Sequence, residues 1–156
     1  MNYILIILLF LLLFPCKNFF RTSSGVYYTG RNEKTADLIR VLRDISFKVA
    51  DDLPPNDAKV LRSSLNFTTF KELNGDRPTV LAWNYDKGRE IAIRIYDRNG
   101  NPYTADEILL ALFHELAHTL CKRNGHGPLF IKKDKLIQQY RHKYVKMLIN
   151  NTFLTK

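Results

Sequence analysis

The sequence predicts a mixed α and β (α+β) fold, and three observations carry that prediction. Apolar residues recur at spacings of three and four over 34–53 and 109–120, as on helices. Two runs rich in β-forming residues, 79–85 and 90–96, flank a turn signal. Pro54-Pro55, Asn99-Gly100 and Asn124-Gly125 punctuate the segments. With 156 residues, 46% apolar and 25% charged, the chain has the composition of one globular domain. No internal repeat or low-complexity tract points to a solenoid or a long disordered tail.

The chain divides at about residue 21, into an apolar anchor or signal segment (1–21) and a body (22–156). Residues 3–16, YILIILLFLLLFPC, are unbroken by charge. That run is short of the ~20 residues a spanning helix needs, and Met1, Asn2, Phe19 and Phe20 extend it to that length if Lys17 snorkels. A cleaved signal would want a basic start, and Thr22 to Gly25 offer only a weak cleavage site. Because Lys17, Arg21, Arg31 and Lys34 follow the run, the expected location is membrane-associated through an uncleaved signal anchor, with the body cytoplasmic. Secretion or luminal release after cleavage is the alternative, and only there would the sequons at Asn66 and Asn150 matter. Cys16 and Cys121 build no disulfide framework.

In the body, residues 34–53 place Ile39, Leu42, Ser46, Val49 and Leu53 on one stripe of an N-terminal helix that Pro54-Pro55 stops. A short helix is expected from Asp57, capped by Asn56, and then a strand in LNFTTF, 65–70. TVLAWNY (79–85) and EIAIRIY (90–96) read as a hairpin about Asp86-Lys87-Gly88. In its second strand Ile91, Ile93 and Ile95 face the core, while Arg94 and Tyr96 leave the other face free. Thr104-Ala105-Asp106-Glu107 is a capping box. The helix it starts carries Leu109, Leu112, Leu116 and Leu120 and runs to about Lys122, where Asn124-Gly125 ends it.

That helix holds the chemistry. His114 and His118, four apart, project from one face about 6 Å apart along the axis and can share one zinc. Glu115, rotated ~100° from His114, flanks the metal as a general base for an attacking water. A catalytic zinc takes a third protein ligand. Glu115 is the last glutamate in the chain, so the candidates are Cys121, His126, Asp134 and His142. Cys121 shares the helix face but makes no tetrahedral corner in line with two histidines, and reads as a small buried thiol. His126 follows a turn that brings its ring back from another direction, and it is the expected third ligand ahead of Asp134. His142 lies among basic residues of the next helix and reads as surface or packing.

The net charge of +9 collects behind this site: residues 116–156 hold nine Lys and Arg against Asp134 alone. On one continuous helix Lys132, Lys135, Gln139, Lys143 and Lys146 recur at helical spacing, with Phe130, Ile137, Tyr140, Tyr144 and Met147 on another side. The basic face is either a solvated surface or a contact for DNA or an anionic membrane, through Lys132, Lys135, Lys143 and Lys146.

The stretch HELAHTLCKRNGHGPLF, preceded by EIAIRIYD and followed by a basic helix, resembles the WLM (Wss-like) metalloproteases and the related SprT/Spartan peptidases. The resemblance is strongest from Gly88 to Leu136. In those families a His-Glu-x-x-His helix precedes a third histidine in a His-Gly-Pro or Gly-Pro-His context, then an aromatic. The matching positions are His114, Glu115, His118, His126, Gly127, Pro128 and Phe130. The resemblance implies a compact zincin-like fold with an N-terminal helix, a small three-stranded sheet, an active-site helix and a C-terminal helix. It also implies a zinc endopeptidase with one Zn2+ and a protein substrate; the better-known members cleave proteins trapped on DNA. An apolar N-terminus departs from that group. Two further readings stay open: a membrane-tethered peptidase acting on local proteins without DNA, and a non-catalytic zinc-containing module that binds polyanions.

Overall fold

The computed structural model describes residues 19–21, 27–75, 79–121 and 125–154. In chain order these form β1 (Phe19–Arg21), β2 (Tyr27–Thr29), α1 (Glu33–Asp52), α2 (Pro55–Leu65), β3 (Thr69–Glu72), β4 (Ala82–Tyr85), β5 (Glu90–Ile93), α3 (Ala105–Thr119), α4 (Pro128–Gln138) and α5 (Arg141–Asn151). A 3-10 turn, Asp86–Gly88, joins β4 to β5.

α1 starts at a reciprocal cap: Thr35 N–H donates to Asn32 Oδ1 (3.0 Å) and Asn32 N–H to Thr35 Oγ1 (3.1 Å). Its apolar stripe, Leu38, Ile39, Leu42, Ile45 and Val49, is fully buried. α2 begins at Pro55, earlier than the Asn56 cap predicted, because proline's fixed φ suits a first helical turn that needs no N–H. It runs on through the buried Leu65, so the strand expected over 65–70 starts only at Thr69.

The sheet order is β1-β2-β3-β5-β4. Its three four-residue strands, β3, β5 and β4, are the small sheet the sequence predicts, and β1 with β2 extends it at the far edge. β5 pairs in parallel with β3 and antiparallel with β4, so β5 is an interior strand and β4 is an edge. This position explains one difference from expectation. Ala92 is as buried as Ile91 and Ile93, although it points to the face expected to be free. It lies level with Lys71 on one side and Trp83 on the other, and the Lys71 ammonium, 5.9 Å from the Trp83 ring centre, closes over it.

The predicted basic helix is two helices. Gln139 and Tyr140 keep right-handed helical backbone, but Tyr140 N–H donates to Ile137 O (3.0 Å) and Lys143 N–H to Tyr140 O (3.1 Å), the tighter pattern that bends a helix. The bend carries α5 onto α1. Tyr140 Oη donates to Asp52 O (2.8 Å), and the Asp52 carboxylate takes Lys143 Nζ (2.7 Å) and Tyr144 Oη (2.6 Å). All four lysines of the predicted basic face, Lys132, Lys135, Lys143 and Lys146, are exposed, but Lys143 is paired with Asp52.

The expected membrane location is corrected. Among the described residues no helix is long and apolar enough to cross a membrane. α1 has the length, but it carries Asp37, Arg40, Arg43, Asp44 and Lys48 within its span. Phe19 and Phe20, needed to bring the run to spanning length, belong to β1 and pair with Thr29 and Tyr28. The run 3–16 itself, with Cys16, Lys17 and the residues 22–25 weighed as a cleavage site, lies outside the described residues.

Candidate metal centre

α3 is built as its sequence predicts. Thr104 Oγ1 accepts from Glu107 N–H (3.3 Å) and Glu107 Oε2 accepts from Thr104 N–H (2.9 Å). Ile108, Leu109, Leu112, Phe113 and Leu116 sink into the core, which leaves His114 and His118 on the flank of the helix, half-buried. α3 ends at Thr119, short of Lys122, and Lys87 Nζ donates to Cys121 O (3.1 Å) just beyond that end. Gly125, at φ +88°, takes the turn that only glycine adopts without strain, and His126 follows. Asn124 lies outside the described residues.

The three histidine rings form an equilateral set, each pair of centroids 5.0 Å apart. Imidazoles radiating from one tetrahedral ion at ~2.0–2.1 Å would have centroids about 5 Å apart and ligand nitrogens about 3.3 Å apart. Here His114 Nε2 and His126 Nε2 are 3.1 Å apart, and the ligating atoms of all three rings lie within 4.8 Å of one another. The three histidines fit a metal ion. Burial, followed by the opposing effects of Asp134 and His126, holds His114 below its ordinary value. Burial first, then His114, His126 and Lys87, brings His118 down to about 4. Both rings are thus neutral near pH 7, the form that ligates.

Phe130 supports the set. This buried ring, in the first turn of α4, lies 4.9, 4.3 and 4.7 Å from the His114, His118 and His126 rings. Pro128 at the start of α4 fixes the entry of that turn. On the open side is a cleft of about 570 Å³, lined by Ala82 to Lys87, Glu115 and the three histidines. Glu115 is a buried residue at the wall of this cleft, and burial raises its pKa to about 7.

The other candidates fall elsewhere. Cys121 is a buried free thiol, raised by burial and outside the cluster. Asp134 Oδ1 approaches His114 from behind, 3.9 Å from Nδ1. His142 is exposed on α5.

Sequence reasoning missed Asn84. Its Nδ2 donates to Glu115 O (2.7 Å) and Thr119 Oγ1 (2.8 Å), and its Oδ1 accepts from Gly88 N–H (2.6 Å). One side chain thereby fixes the edge strand and its turn to α3 beside the histidines. The available signal was parity: β4 alternates, so Ala82 and Asn84 face inward, and an inward asparagine requires partners.

No protein-family model and no curated protein matches the sequence. Among solved structures, the chain is similar to Wss1 from Saccharomyces cerevisiae, at 14% identity over 67% of this chain and 83% of that one, with a TM-score of 0.47. A Wss1 mutant from the same yeast gives 16%, 67%, 84% and 0.46.

Proposed function

We propose that this chain is a zinc-dependent endopeptidase, with His114, His118 and His126 as metal ligands and Glu115 as general base. The observation that carries the reading is the equilateral histidine set beside a buried glutamate, at a cleft bordered by an edge strand. A three-histidine set with room for a water or a substrate oxygen suits a catalytic rather than a structural zinc. When bound, the metal supplies Lewis acidity, acidifying a water and polarising a carbonyl.

The rest is the work of the chain. Glu115 takes up a proton from the attacking water and returns it to the leaving amine, and its burial favours the protonated form it holds between the two transfers. β4 pairs only with β5 among the described residues, so its outer edge has backbone groups free to align an extended peptide as one more strand. Recognition through backbone tolerates many sequences, and an unstructured protein is the substrate class that fits. Asn84 keeps that strand and Glu115 in fixed relation.

The test is cleavage of an unfolded protein by the purified chain. Activity should disappear on chelation and return with stoichiometric zinc. Cleavage that persists after the metal has been removed to below one tenth of an equivalent, as a rough limit, would overturn the reading.

A further inference from the structure

Asp134, weighed from sequence as a rival ligand, lies on the far side of the His114 ring from His126. The two nitrogens of the His114 ring have different surroundings: Nε2 faces His126 Nε2 at 3.1 Å, and Nδ1 faces Asp134 Oδ1 at 3.9 Å. The carboxylate is held from behind. Gln138, one turn further along α4, donates from Nε2 to Asp134 Oδ1 (3.2 Å) and to Leu110 O (3.0 Å), one turn before His114. Arg141 Nη1 in turn donates to Gln138 Oε1 (3.2 Å), and Arg141 Nε pairs with Asp106 Oδ1 (3.0 Å) in the first turn of α3. Contacts therefore run from the start of α3, across the bend between α4 and α5, to the back of His114.

We propose that Asp134 is a positioning residue that holds His114 as the Nδ1–H tautomer, leaving the Nε2 lone pair directed at the metal. The inference rests on the metal centre proposed above. A neutral imidazole carries one proton, and only the other nitrogen can ligate. A carboxylate behind Nδ1 selects the proton's place, and once Nε2 is bound it stabilises the more acidic N–H. At 3.9 Å the contact is electrostatic. A shift of about 1 Å, within the range of a carboxylate rotation, brings it to hydrogen-bond distance. Gln138 sets the direction of that approach by holding the same oxygen.

The experiment measures zinc affinity of the full chain by competition with a chromophoric chelator, together with the His114 Nδ1–H signal in 1H–15N spectra of the zinc-loaded protein. Asp134→Ala should still take one zinc, about 10–100-fold more weakly, and its His114 Nδ1–H should exchange with solvent too fast to observe. Asp134→Asn, which keeps the size and an acceptor but loses the charge, should fall between wild type and alanine, and it carries the test if the alanine variant does not fold. Wild-type affinity and an unchanged Nδ1–H signal in a folded Asp134 variant overturn the inference and leave the metal centre standing. Absence of zinc binding by the wild type overturns both.

Discussion

Replacing Asn84 with alanine removes one side chain that makes three hydrogen bonds between the edge strand, its turn and α3. Each is worth about 1 kcal/mol net, and an orphaned buried donor costs more than the mean. Gly88 N–H would lose its acceptor, whereas Glu115 O keeps its helical partner and Thr119 Oγ1 still reaches Glu115 O at 3.3 Å. The cleft admits water to part of the gap, which offsets some of the loss. The expected cost is about 2–3 kcal/mol, read from urea unfolding of the metal-free protein with unchanged m-value. Peptide turnover should fall as well, while zinc content stays at the wild-type level, because the hydrogen bonds of Asn84 go to Glu115 O, Thr119 and Gly88 and not to a histidine. A loss under about 0.5 kcal/mol, the size of an ordinary surface change, would refute the view that Asn84 locks the strand to α3.

Three further outcomes follow from the packing. Phe130→Ala should cost about 3–5 kcal/mol as a large-to-small change in a buried site and should weaken zinc binding, with Phe130→Leu milder on both; denaturant melts and chelator competition read the two effects. Gly88→Ala should cost at least ~2 kcal/mol, since φ is +96° and a Cβ would meet Ser64 Oγ at 2.7 Å and Thr119 at 2.8 Å. At Asp52 burial alone would raise the pKa, but hydrogen bonds from Lys143 and Tyr144 outweigh it and hold the carboxyl below its ordinary 3.8. The stabilisation is then fully present above the unfolded value and lost as pH falls through the folded one, so stability measured from pH 6 downward should decline less in Asp52→Asn than in wild type.

The parts of this fold legible in sequence are those whose signals are local. The capping box at Thr104, the stripe of α1 and the turn at Asp86–Gly88 all depend on residues within a few positions of one another, and all appear where expected. The boundary of α2 and the bend at Gln139 were not legible, because tertiary contacts set them. The buried Leu65 extends α2, and Asp52 draws Tyr140, Lys143 and Tyr144 onto α1 across some 90 residues of chain. The burial of Ala92 depended on strand order, which alternation within one strand does not encode. In the candidate site, His114 and His118 are a property of one helix, and the turn at Gly125 gave the direction of His126. Asn84 and the approach of Asp134 to His114 Nδ1 arise from packing between elements distant in sequence.

On the proposed reading, Glu115 works as a base beside a metal held by three histidines. The most direct measurement pairs zinc content with cleavage of an unfolded protein, for wild type and Glu115→Gln. The amide fills the same space and cannot accept a proton, so the variant should keep one zinc and its melting temperature while losing about 10²–10⁴-fold in turnover. A Glu115→Gln protein that holds its zinc and cleaves at the wild-type rate would contradict the account.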